Sequence, residues 1–331
     1  MTPQEGSEYK ATKARVEFGM GHAGYPDAIL REELKKRMER SGREPFIPLL
    51  VSVKEFTGML FANPDLNRIY SISLDGLECL PFRPDMAFDR WWAAFEVLLH
   101  KYASVAWNKD SRPVPTVDLF ERVTNEVLMP ELKDDVYLKL SVHRWCRNMP
   151  DSVARYGVAR MILDREIKVA SQFGNIKERA LGIIGKDLFS AFEAAYIRKN
   201  NGIAELDGSN HYRAARKLKR MLSGDRLTFD GIEVKGIDLA HRVEFVMSCI
   251  LYASRCERLH GDYFSPFFSD RAKISLYAHW YWLADTTYIL FQVLFKRLID
   301  YQGFSNPMNT RMLADYIKSL SKSYQYLFTS K

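Results

Sequence analysis

Apolar side chains recur at helical spacing along most of the chain. Positions 86–107 carry Trp91, Phe95, Leu98, Leu99 and Tyr102 on one broad stripe, and positions 309–327 align Leu313, Ile317, Leu320 and Tyr324. Both segments are therefore predicted to be amphipathic helices. The same spacing predicts helices near 116–128, 131–147, 151–172, 186–199, 210–223 and 270–299. A further helix begins around Asp238 and aligns Val243, Val246, Ile250 and Ala253. Residues 26–41 form a charged amphipathic pattern opened by Pro26 and Asp27 and closed by Gly42, which fits the asymmetry of helix ends. Two stretches follow turn chemistry instead. Ile69 to Leu80 has Asp75-Gly76 between apolar runs, and Leu227 to Val234 has Asp230-Gly231 in the same place, so each is predicted to be a hairpin. The apolar run 46–61 is ambiguous in period.

The polar stretch Asn108 to Pro115, with prolines at 113 and 115, is the best linker candidate. Asn200-Asn-Gly202 and Asp207-Gly-Ser-Asn210 mark further breaks, and no internal repeat or low-complexity tract appears. The predicted organisation is a mixed α/β region over 1–112 containing a small hairpin, a helical connecting region over 113–185, and a helical bundle over 186–331. The fold class is mainly α.

Composition narrows the class of protein. With 331 residues, 47% hydrophobic and 27% charged, the chain can bury a sizeable core. Its N-terminus lacks the basic start and apolar run of a signal peptide. The nearest approach to a membrane span, 277–295, contains His279, Asp285, Thr286 and Thr287. A central Asp costs about 2.5–3.5 kcal/mol on insertion scales, so a buried bundle helix is expected and no membrane partner. Cys79, Cys146, Cys249 and Cys256 have neither zinc-ribbon spacing nor disulfide-scaffold density, which points to reduced thiols in a cytoplasm. Cys249 and Cys256, seven apart, are expected to pack on one helix face beside Tyr252. A net charge of +7 favours an anionic partner only modestly. Lys217, Lys219 and Arg220 form one basic cluster, and Arg258, Arg271 and Lys273 form another.

Several constellations lack supporting context. Gly19-Met-Gly-His-Ala-Gly24 matches a dinucleotide fingerprint, but the segment before it is too charged for a buried strand and no βαβ alternation follows. His143 with Cys146, and His241 with Glu244, sit one helical turn apart without a third ligand, so no metal and no cofactor is expected. Trp91, Trp92, Trp280 and Trp282 could stack bases, but tryptophans at helical spacing are usually core.

The chemistry-bearing feature is Arg255 and His260, within Leu251-Tyr-Ala-Ser-Arg-Cys-Glu-Arg-Leu-His-Gly-Asp262. A guanidinium is charged at any biological pH and matches phosphate oxygens, while an imidazole can take and give a proton. The spacing alone is weak, because Arg15 and His22 also match Arg-x(4 to 6)-His. Context separates the two: a long apolar helix runs into Arg255, Gly261 follows His260, and another long helix comes after. Five positions on an ideal helix are about 140° apart, so both side chains meet one phosphate only if the helix unwinds near Gly261 or a second subunit completes the site. Otherwise Arg255 bonds helix-end carbonyls, Glu257 or Asp262, and His260 caps the helix.

With these residues between two long helices, 186–327 resembles a HEPN domain and is similar to the branch sometimes called ApeA-like in bacterial phage-defence proteins. The resemblance implies a four-helix bundle that forms a homodimer around paired Arg-x(4 to 6)-His motifs. It also implies metal-independent endoribonuclease activity in phage defence or toxin-like RNA cleavage. Arg255 and His260 are then catalytic, with RNA as partner and Arg258, Arg271 and Lys273 as RNA-binding residues. Cys256 departs from the polar residue that many members place after the arginine, and several HEPN domains are inactive. The alternative is thus a non-catalytic module binding RNA, a nucleotide or a protein partner, with a plain structural helical subunit as the third reading. Residues 1–185 resemble no family, which leaves room for a protein or nucleotide regulator.

Overall fold

The computed structural model describes residues 28–46, 60, 63–107, 114–162, 176–200, 203–259, 267, 273–303 and 308–329. The Gly19–Gly24 pattern, Arg15, His22, most of the ambiguous 46–61 run, most of the linker, His260 and Arg271 lie outside the described residues. The described chain is mainly helical. In order it forms α1 (Ala28–Ser41), α2 (Pro64–Glu78), α3 (Pro84–Ala106), α4 (Phe120–Val123), α5 (Met129–Asp134), α6 (Val136–Arg147), α7 (Asp151–Ile162), α8 (Ile176–Ile184) and α9 (Lys186–Tyr196). Strands β1 (Arg198–Asn200) and β2 (Ile203–Glu205) follow, then α10 (Gly208–Leu222), β3 (Leu227–Phe229) and β4 (Ile232–Val234). The chain ends with α11 (Leu239–Phe245), α12 (Tyr252–Leu259), α13 (Ile274–Tyr301) and α14 (Thr310–Tyr324). A 3-10 turn at Thr116–Leu119 and π turns at Thr124–Leu128, Val246–Leu251 and Gln325–Thr329 extend neighbouring helices.

Local sequence explains many of the helix starts. The side chains of Asn63, Asp207, Asp238 and Asn309 each accept a hydrogen bond from a backbone N–H of the first turn, satisfying a donor that the helix leaves orphaned. Pro84 occupies the first turn of α3, where its missing N–H costs nothing.

The expected hairpin at Leu227 to Val234 forms, pairing Leu227 with Val234 and Phe229 with Ile232. Asp230 (φ 49°) and Gly231 (φ 82°) supply the two left-handed residues of the turn. The other expected hairpin does not form: 69–78 belongs to α2. Leu66, Ile69, Ser73 and Gly76 make one buried face of that helix, and Gly76 lies under the Trp91 ring of α3. An added Cβ at Gly76 would stand 2.3 Å from Trp91 Nε1, and that indole donates to the Ser73 carbonyl at 2.9 Å. The glycine serves a close helix approach, not a turn.

One hydrophobic core runs from Leu30 to Tyr324 and joins side chains on both sides of residues 112 and 185. Its centre is α13, which packs chiefly along α3. Trp145 of α6 stacks on Trp282 at 6.2 Å and donates to Thr286 Oγ at 2.9 Å, fixing α6 to α13. Trp91, Trp92, Trp280 and Trp282 are all buried, so none offers a free face to a base. No helix among the described residues is long and apolar enough to cross a membrane.

Candidate functional site on the Arg255 helix

The helix that carries Arg255 is reached through a π segment, Val246–Leu251, whose residues are all buried. Such a wide turn shifts the phase of every side chain after it. Cys249, on the π segment, is fully enclosed and burial pushes its thiol up to about 12, while Cys256 stays half-buried. Cys146 is likewise pushed up to about 11 by burial. Neither Cys249 nor Cys146 supplies a thiolate nucleophile at neutral pH.

Across from α12 stands α3. Asp85, Asp89 and Glu96 are separated by four and seven residues, so at about 100° per residue they fall within a narrow sector of α3. Arg255 and Arg258, three apart on α12, meet that acidic stripe. Arg255 Nη2 lies 3.1 Å from Glu96 Oε2. Arg258 grips Asp89 with Nε–Oδ1 at 2.7 Å and Nη2–Oδ2 at 2.5 Å, and reaches Asp85 at 3.5 Å. Its guanidinium also sits 4.8 Å over the Trp280 ring. Asp85 is fully buried and receives Arg83 through two 3.0 Å bonds. Glu257 turns the other way, to Arg160 of α7.

These pairs differ in solvent access. The side chains of Arg258 and Glu257 are 12% and 5% exposed, whereas that of Arg255 retains 27%. Burial pushes the Asp89 carboxyl above its usual range, and the Arg258 bonds only partly offset this.

Glu96 is also the end of a short polar chain. Thr116 Oγ donates to Glu96 Oε1 at 3.2 Å, and His100 Nε2 lies 3.2 Å from the same hydroxyl. Sequence reasoning did not find the acidic stripe or His100, although Glu96 and His100 are four apart on a helix whose apolar stripe was plain. Chemically, the arrangement presents one partly exposed guanidinium held by a carboxylate, which can donate to an anionic oxygen.

Among the other expected site residues, Lys273 is exposed at the N-terminus of α13. Among the described residues no group of three His, Cys, Asp or Glu side chains could hold a metal ion. His143 instead contacts the Ser223 carbonyl at 3.1 Å, and His241 bonds Asp238 at 2.9 Å. Comparisons with protein-family models, curated proteins and solved structures find no match to this chain.

Proposed function

We propose that the protein is a metal-independent endoribonuclease of HEPN type that cuts RNA in phage defence or a toxin-like role, using Arg255 and His260. The observation that carries this reading is the contrast along α12: Arg258 and Glu257 are sealed into the fold, while Arg255, one helical turn from the end, keeps 27% of its side chain in solvent. In the reaction, His260 takes the proton from a ribose 2′-hydroxyl or gives one to the leaving oxygen, for roughly 10²–10⁴ in rate. Arg255 steadies the charge that grows on the phosphorane, where losing one preorganised donor costs about 10²–10³. The products carry 2′,3′-cyclic phosphate and 5′-hydroxyl ends. A homodimer would bring two such motifs around one cleft, and Lys273 adds charge for RNA.

A second reading has its own support. Glu96 already neutralises Arg255, and Asp89 with Asp85 neutralises Arg258. Such pairing suits a non-catalytic module. Incubating purified protein with RNA in EDTA separates the two. Cleavage that disappears in both Arg255→Ala and His260→Ala supports the enzyme. Intact RNA with retained binding supports the module.

A further inference from the structure

Away from the Arg255 helix, the starts of α7 and α13 and the end of α14 wall a groove of about 1210 Å³. That exceeds the roughly 300–1,000 Å³ of a small-molecule pocket. Six cations line it: Arg37, Arg43, Arg147, Arg155, Lys219 and Lys322. Asp151 is the one carboxylate among the described lining residues. Arg37, Arg147 and Lys219 have acidic partners in Glu33, Asp225 and Asp151. Among the described residues Arg43, Arg155 and Lys322 pair with no carboxylate, so three positive charges stay uncompensated around the groove.

Two of these three cations lie on aromatic rings. The Arg155 guanidinium sits 4.6 Å from the centroid of Tyr212, and that of Arg43 sits 4.7 Å from Tyr326. These tyrosines are 48% and 58% exposed although both rings are large enough to be core. Arg155 Nη1 also donates to the Tyr212 hydroxyl at 3.3 Å, which holds the guanidinium against the ring. A solvated helix face needs neither exposed rings nor, set against them, cations without carboxylate partners. A strand of nucleotides uses both, stacking bases on rings and placing phosphates on arginines.

We infer that this groove binds single-stranded RNA and holds the substrate for the Arg255 helix. As the substrate track of that site it rests on the ribonuclease reading; as a binding surface it stands alone. One helix connects the two places. The first turn of α7 lines the groove, and Arg160 in its last turn pairs with Glu257, two residues from Arg255. Twelve residues of helix span about 18 Å, which a strand of a few nucleotides covers. Ile274, directly after Lys273, lies on the groove wall.

The test uses the full chain and fluorescein-labelled oligo(dT) of twelve nucleotides, which lacks the 2′-hydroxyl and so reports binding without cleavage. Wild-type protein binds it, and Tyr212→Ala with Tyr326→Ala weakens binding about tenfold or more. Arg43→Gln with Lys322→Gln weakens it and flattens the salt dependence by about 0.7 in log–log slope for each phosphate no longer neutralised. Should the tyrosine pair fail to fold, the Arg43/Lys322 pair decides. Wild-type affinity in the folded groove variants overturns the inference. So does polyglutamate binding as tightly as oligo(dT), which would mark an acidic-peptide site. Oligo(dT) binding that depends on the groove while RNA stays uncut defeats the ribonuclease reading and leaves the groove standing.

Discussion

Arg255 Nη2 and Glu96 Oε2 stand 3.1 Å apart, joining the motif helix to α3 through a carboxylate that also receives the Thr116 hydroxyl. A phosphate approaching Arg255 must compete with that carboxylate. Glu96→Gln keeps the shape and removes the charge, so RNA should bind several-fold more tightly, in keeping with the roughly 1 kcal/mol of a partly exposed pair. Anisotropy at fixed salt measures this, and weaker binding would mean that Glu96 serves mainly to aim the guanidinium.

Arg258 behaves differently because its own side chain is 12% exposed and it reaches the fully buried Asp85 as well as the partly exposed Asp89. Arg258→Ala leaves Asp89 without its two-bond partner and leaves Asp85 to Arg83 alone, and with Asp89 partly in solvent the cost falls below the roughly 3–5 kcal/mol of a fully buried pair, at about 2 kcal/mol. Thermal unfolding should show a clear loss of Tm, whereas Arg255→Ala, nearer solvent, should lower it less. Equal losses would remove the distinction on which the choice of Arg255 rests.

Gly76 is fixed by the Trp91 ring rather than by backbone conformation. Gly76→Ala places a methyl 2.3 Å from Nε1 and must push α2 off α3, at about 1–3 kcal/mol. Denaturant unfolding of Gly76→Ala beside Gly182→Ala, where an added Cβ meets nothing within 4 Å, tests this. Only the first should lower the midpoint markedly.

Asp285 lies fully buried on α13 with neither carboxylate oxygen bonded among the described residues, and burial pushes its carboxyl well above the usual range. Below the ordinary Asp value both folded and unfolded chains hold the proton, and the site costs nothing extra. Above that value the unfolded chain releases a proton that the folded chain keeps, so stability falls by about 1.4 kcal/mol per pH unit until the folded carboxyl ionises. Asp285→Asn removes this slope. Its Tm should rise relative to wild type, and the gap should widen from acid to neutral pH. A gap independent of pH would show that the carboxyl titrates alike in both states.

Part of this architecture is written locally and part is not. The hairpin at 227–234 was legible because Asp230-Gly231 supplies the left-handed pair that its turn requires. Asp75-Gly76 carries the same chemistry, yet tertiary packing overrides it. The deciding sign was the helical spacing of Leu66, Ile69, Ser73 and Gly76, visible once small residues count as buried. Asp85, Asp89 and Glu96 could likewise have been read as one face awaiting cations. The π segment at 246–251 left no such mark: its six residues are apolar or small, and nothing in their order distinguishes a wide turn from an ordinary one. The basic groove was out of reach because its cations come from α1, α6, α7, α10 and α14 and the turn after α1, with only Lys219 in a sequence cluster.

On the proposed reading, Arg255 and His260 cleave RNA through its own 2′-hydroxyl. The direct measurement is end-group analysis of a labelled RNA incubated with the protein in EDTA, beside the same strand with 2′-deoxy sugars throughout. The RNA should yield 2′,3′-cyclic phosphate and 5′-hydroxyl ends, the deoxy strand none, and Arg255→Ala or His260→Ala none. Cleavage of the deoxy strand, or RNA left whole by protein that binds it, would contradict a HEPN-type ribonuclease.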